Sequence, residues 1–254
     1  MIEVIRTIGD AGRRMADFRR KALSIGLVPT MGALHDGHLS LIGRARADTD
    51  RVVVSIFVNP TQYDDPEDLE RYPRTLAADL EKAEAAGADL VIHPAPEDIY
   101  HDGYRFRVTE SAFSRELEGA HRKGHFDGVL TVVLKLLNIV RADRAYFGEK
   151  DWQQLLLVRD MAAAFFVATE IVACPIVREA DGLAMSSRNV HLTPEERVLA
   201  PEFHRILQTG ASTEDMHRQL VEAGFGVDYV AKRGDRILGA VRLGKVRLID
   251  NVQH

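Results

Sequence analysis

The chain has 254 residues, 46% of them hydrophobic and 28% charged, which excludes a disordered polymer or a disulfide-stapled miniprotein and allows one large domain or a large and a small one. Lys and Arg total 33 against 38 Asp and Glu, a formal charge of −5 that argues against nucleic acid as the main partner. No stretch reaches the roughly 18 apolar residues of a membrane helix, and no charged-then-apolar leader follows Met1, so a cytoplasmic protein that does not engage membranes is expected.

In chain order, Arg13-Arg14 and Arg19-Arg20-Lys21 fall on an amphipathic helix and read as its solvated face. An apolar strand, 26–30, leads through His35-Asp36-Gly37-His38 into a helix over 39–45. Residues 51–58 form a near-continuous apolar strand, as expected where helices cover both faces of a parallel sheet. Pro66 to Ala86 reads as one helix, with Leu69, Leu76, Leu80 and Ala83 on its apolar face and Gly87 as its stop. A short strand over 90–92, a helix over 127–140, a strand over 144–147, a helix over 151–166 and a strand over 170–177 follow. The last contains the one cysteine, Cys174, which reads as a small buried hydrophobe and excludes an internal disulfide. Alternating strands and helices of this kind predict an α/β domain with a doubly wound parallel sheet.

The texture changes after Ser187. Thr193-Pro-Glu-Glu is a helix start with an N-cap hydroxyl, a proline at the first position and a glutamate to complete a capping box. A second short helix follows Thr213, and strands are expected over 227–231 and 237–250. The expected organisation is therefore a large domain, 1–178, and a second, smaller α+β C-terminal domain, 179–254.

Two imidazoles three residues apart at the start of a helix share a face, at the end of the sheet where open α/β folds bind ligands. Gly32 precedes them, and backbone N–H groups at the helix start could face an anion. A zinc-protease motif needs histidines four apart with a glutamate beside the first, and this spacing has neither. Three further polar stretches end strands at the same carboxyl edge: Asn59-Pro-Thr-Gln62, Gly148-Glu-Lys-Asp151 and Met185-Ser-Ser-Arg188. Singly, each reads equally as a turn or a helix entry. Their convergence points to a nucleotide-phosphate site.

Pro29-Thr-Met-Gly-Ala-Leu-His-Asp-Gly-His38, Phe57-Val-Asn-Pro-Thr-Gln62, Tyr72-Pro-Arg-Thr75, Gly124-His-Phe126, Phe147-Gly-Glu-Lys-Asp151, Asp181-Gly-Leu-Ala-Met-Ser-Ser-Arg-Asn189 and the terminal Arg247-Leu-Ile-Asp-Asn251 occur in the order found in the pantothenate synthetase family, which the chain resembles from about Gly26 onward. Thr61, Tyr63 and Asp127 depart from the family pattern, and the part after Arg188 is shorter than in many members. The wider resemblance is to the nucleotidyl-transfer superfamily that includes class I aminoacyl-tRNA synthetases.

The resemblance implies a Rossmann-like N-terminal domain with a smaller C-terminal lid, assembled as a homodimer. It implies an ATP-dependent ligase that joins pantoate to β-alanine through pantoyl adenylate, releasing AMP and pyrophosphate. The residues carried over as catalytic are His38, His35, Lys150 and Arg188. Those implied at ATP are Met31, Gly32, Ala33, Leu34, His35, Asp36, Gly37 and His38, then Gly148, Glu149, Lys150 and Asp151, then Val177, Met185, Ser186, Ser187 and Arg188. Gln62 and Gln154 are implied to hold pantoate, with Gln62 also bordering β-alanine. A neutral amide suits that task, because it orients a carboxylate without neutralising it as a nucleophile. Mg2+ is expected, held chiefly through ATP oxygens and water. Another nucleotidylyltransferase with the same histidine pair, or a non-catalytic ATP-binding dimer, remains a competing reading.

Overall fold

The computed structural model describes residues 2–254, which form two compact units: 2–148 with 153–174, and 149–152 with 175–254. The segments expected from the sequence, 1–178 and 179–254, differ from these units in two places. Residues 175–178 and the four residues Glu149–Trp152 group with the C-terminal part.

The first unit is built on six strands: β1 Glu3–Ile5, β2 Ile25–Thr30, β3 Arg51–Ile56, β4 Leu90–Ile92, β5 Arg144–Gly148 and β6 Glu170–Cys174. Every pairing is parallel, in the order β1-β4-β3-β2-β5-β6. From β2 the chain steps through β3 to β4 in one direction, and from β5 to β6 in the other. Right-handed crossovers then place helices 36–48 and 76–85 on one face and helices 8–20, 125–140 and 152–164 on the other. Contacts agree: 36–48 touches 76–85, and 8–20 touches 125–140. Covered on both faces, the strands are apolar throughout; Leu27, Val28, Val52, Val53, Val54, Leu90, Val91 and Ile92 are fully buried. Cys174 is packed in the same core.

Several expected elements are corrected. The helix expected over 66–86 is two, Pro66–Arg71 and Leu76–Ala85, because Pro73 removes an N–H donor and holds Tyr72 extended at φ −61°, ψ 127°. β1 has three residues, too short for a periodic signal.

The second unit carries a three-stranded antiparallel sheet of β7 Gly226–Arg233, β8 Arg236–Leu243 and β9 Val246–Gln253, in that order. The single strand expected over 237–250 is thus a hairpin, turned at Gly244-Lys245. Helices Pro194–Leu199, Pro201–Leu207 and Thr213–Glu222 accompany the sheet, the first opening with the Thr193–Glu196 capping box. Phe203, Leu207, Met216, Leu220, Val241 and Leu248 form its core. Among the described residues no helix is long and apolar enough to cross a membrane.

Candidate active site

The direction of strand order reverses between β2 and β5, and such a switch point opens a crevice at the carboxyl edge of a parallel sheet. The segment from Met31 to His38 leaves the end of β2 there. Its path is tight: Gly32 has φ 83° and Ala33 φ 51°. A Cβ on Gly32 would meet the Asp79 carboxylate at 3.0 Å and Ile56 at 3.1 Å, so both conformation and space require glycine. Asp79 is 1% exposed and accepts the N–H groups of Ala33 (2.9 Å) and Leu34 (2.7 Å). Lys82 closes the other side on the Leu34 carbonyl at 2.7 Å.

The N–H groups of Gly32, Ala33 and Leu34, ahead of the helix, are taken by Thr30 and Asp79. Asp36 and Gly37, the first two residues of the helix, are the ones without an intrahelical acceptor.

The histidines differ from expectation in one respect. His35 lies outside the helix as its N-cap, extended at φ −130°, ψ 172°, while His38 is the third helical residue. They therefore do not stack as neighbours on a regular helix face; their rings meet directly, centroids 4.1 Å apart and planes at 37°. The His35 N–H points at His38 Nδ1 (3.4 Å).

The 3-10 turn Pro60–Gln62 follows β3, the neighbour of β2. Asn59, 1% exposed, donates from Nδ2 to Gln62 Oε1 (2.9 Å) and to the Gly128 carbonyl (3.2 Å). Its Oδ1 accepts from Tyr100 (2.7 Å), a phenol that burial pushes up to about 12. With Oε1 fixed by Asn59, Gln62 presents Nε2 as its donor, against Met31 Sδ at 3.2 Å. Helix 125–140 closes on this turn so tightly that a Cβ on Gly128 would lie 2.3 Å from the Thr61 carbonyl oxygen. Gln154 is half-buried on helix 152–164. Its neighbour Gln153 is buried and committed to Glu118 N (3.0 Å), Phe113 O (2.6 Å) and Glu116 O (2.8 Å), a strut between segments.

Gly148 ends β5 in the first unit, and the 3-10 turn Glu149–Asp151 belongs to the second. There Lys150 Nζ lies 3.9 Å from Asp151. In the same unit the segment 177–185 folds back on itself. Met185 N–H bonds Val177 O at 3.0 Å and Arg178 bridges Ala184. Beyond them the Ser186 hydroxyl accepts the Arg188 N–H (3.2 Å), and the Asn189 amide ties the turn to Glu179 (2.9 Å) and the Ala184 carbonyl (3.1 Å). Ser186, Ser187 and Arg188 thus leave a braced hairpin.

A family model for pantoate-beta-alanine ligase matches residues 3–253. The chain belongs to that family. It is 53% identical over 235 residues to the pantothenate synthetase of Bdellovibrio bacteriovorus, covering 92% of this chain and 94% of the relative. The match to the Cereibacter sphaeroides enzyme is 47% over 279 aligned positions and 99% of each chain; the alignment exceeds 254 positions because that relative carries residues this chain lacks. Among solved structures, the pantoate-beta-alanine ligase from Francisella tularensis, complexed with beta-gamma ATP and beta-alanine, superposes with a TM-score of 0.95 at 39% identity, covering 100% of this chain and 98% of that one. Pantothenate synthetase from Thermus thermophilus superposes at 0.88 with 41% identity, covering 99% of each.

Within this ligase family frame, the sequence reading passed over residues that hold the others. Asp79 was detectable: it falls on the apolar stripe of Leu76, Leu80 and Ala83, where a carboxylate needs a reason. Tyr100 and Asn59 carried no comparable pattern. Among the described residues no three His, Cys, Asp or Glu side chains gather as a metal site.

Proposed function

We propose that this chain condenses pantoate with β-alanine at the expense of ATP, as its family does, and that the residues named above divide the work as follows. The carboxylate of pantoate attacks the α-phosphorus of ATP; the bond to pyrophosphate breaks and pantoyl adenylate forms. The amine of β-alanine then attacks the acyl carbon, AMP leaves with the bonding pair, and the amine loses a proton as the amide forms. A carboxylate cannot acylate an amine directly at neutral pH, because its leaving group would be oxide.

The observation that carries this reading is the fixed Gln62 amide. Its Nε2 donor stands beside Met31, at the start of the segment that ends in the His35–His38 pair. A neutral donor orients the pantoate carboxylate and leaves its charge available for attack, and Gln154 serves as the second amide. The transition state gathers charge on the α-phosphoryl oxygens and departing pyrophosphate, where preorganised donors act most strongly. His38 is assigned to the first, with the His35 ring beside it. Lys150 supplies a point charge and Arg188 a fork of donors to the phosphates, and Ser186 and Ser187 add hydroxyls.

The C-terminal part, 179–254, serves as the lid that keeps water from the adenylate. The same reading has Mg2+ arriving on the ATP phosphates, where it neutralises pyrophosphate, and a homodimer working in the cytoplasm, where ATP is available.

The test is isotope exchange. Purified protein should exchange labelled pyrophosphate into ATP only when pantoate is present, and should release AMP and pantothenate once β-alanine is added. Exchange indifferent to pantoate would sink the proposal.

A further inference from the structure

Two consecutive residues of β9, Asp250 and Asn251, are 4% and 2% exposed, polar, and outside the chemistry assigned above. On a strand they point to opposite faces. Each holds one of the segments given to the phosphates, and all these groups lie in one unit.

Asn251 Nδ2 donates to the Glu149 carbonyl at 2.8 Å and to the Lys150 carbonyl at 3.2 Å. Those are the two peptide groups on either side of the Lys150 Cα, so one amide fixes both backbone torsions of that residue and with them the direction of its side chain. The rest of Asn251 is used to hold the amide itself: Oδ1 accepts from Arg236 at 2.7 Å. Arg236 also reaches the Glu149 carboxylate at 2.8 Å and lies over the Trp152 ring at 3.9 Å. A hydrophobic side chain at 251 could fill the same volume, but it could not dictate where two carbonyls sit.

Asp250 faces the other way. It takes both Nη atoms of Arg178 (2.7 and 2.9 Å) and pairs with His204 Nδ1 at 3.0 Å. Arg178 forms the bridge at the base of the hairpin that leads to Ser186, and its guanidinium also bonds the Gly182 carbonyl at 3.1 Å within that hairpin.

We propose that Asp250 and Asn251 are positioning residues for the adenylation step, setting the lysine turn and the serine-arginine hairpin in register from the two faces of a single strand. The proposal rests on the phosphate roles given above to Lys150, Ser186, Ser187 and Arg188. An error of about 1 Å in such a placement costs on the order of 100-fold in rate.

A double-mutant cycle on the full chain tests it, read by pantoate-dependent pyrophosphate exchange and by calorimetric titration with ATP. Asn251→Ala should lower kcat for exchange by about 30- to 100-fold and raise KM for ATP, leaving KM for pantoate within about twofold. In a Lys150→Ala background the same substitution should cost less than about threefold, since its route of action is gone. Equal factors in the two backgrounds overturn the proposal, because a merely structural residue would not depend on Lys150. Should Asn251→Ala not fold, Asn251→Asp carries the same cycle: it keeps the volume and the acceptor for Arg236 and replaces the two donors by a charged acceptor that repels both carbonyls. Asp250→Asn paired with Arg188→Ala examines the other face, with the same criterion. A wild-type protein without pantoate-dependent exchange overturns the proposed function and this inference together; exchange with additive factors overturns this inference alone.

Discussion

In the parallel-sheet unit the approach to His35 is held by main chain: the N–H groups of Ala33 and Leu34 sit on the Asp79 carboxylate, whose helix packs on the same face of the sheet. In the antiparallel unit the hairpin leading to Ser186 is held by side chains, with Arg178 forked onto Asp250 and His204 beside it. Both acids are almost fully buried. Their partners differ, and so should their failure. A carboxylate that accepts backbone N–H groups governs the path of the chain, whereas one that pairs with a guanidinium and an imidazole governs side-chain placement. The first arrangement suits a rigid wall, and the second a hairpin set by its side chains.

The largest effect should come from chemistry on the first side. If His38 donates to the reacting phosphate as proposed, His38→Ala should lower kcat for pyrophosphate exchange by about 100- to 1000-fold, with KM for pantoate within about twofold because Gln62 is untouched. Equal losses in both parameters would contradict a transition-state role.

Next comes the support of that wall. Asp79→Ala orphans two buried N–H groups, each worth about 1–3 kcal/mol, and should lower unfolding stability by about 2–4 kcal/mol by urea titration. It also frees Ala33 from its left-handed conformation, so activity should fall even where the variant is folded. Full activity in a folded Asp79→Ala protein would mean that the loop needs no anchor.

The smallest effect separates the two acids by pH. Burial alone would raise the Asp250 carboxyl, but hydrogen bonds from His204 and Arg178 outweigh it and hold the group below its ordinary range. With the folded pKa depressed, the unfolded chain binds the proton first as pH falls. The stabilisation is therefore complete above about 4, the usual Asp value, and is lost as pH falls through the folded pKa. Urea midpoints measured down the acid range should drop less steeply for Asp250→Asn than for wild type. Parallel curves would assign the acid sensitivity to other carboxylates.

The sheet was legible because strands covered on both faces are apolar runs, such as Arg51–Ile56, and need no alternation to be found. Boundaries failed where a local breaker competed with a long pattern, at Pro73 and at Gly244-Lys245. The candidate site residues stood out as compact motifs ending strands. What sequence spacing could not convey was which side chains hold them, because Asp79 and Asn251 act at sequence separations of 46 and 101 on main-chain atoms that leave no residue pattern. The geometry of the histidine pair was misjudged for a related reason: an N-cap residue is adjacent in sequence to a helix but does not share its torsions.

The Asn251 amide also sets a timetable. Its bond to the Lys150 carbonyl spans 101 residues of chain, and at roughly 5–20 residues per second of synthesis some 5–20 s pass between the two leaving the ribosome. Throughout that interval the lysine turn exists without the residue that orients it. A nascent chain therefore carries Lys150 well before Asn251 can hold its turn, so pantoate-dependent exchange should appear abruptly, near the end of translation, and not grow with chain length.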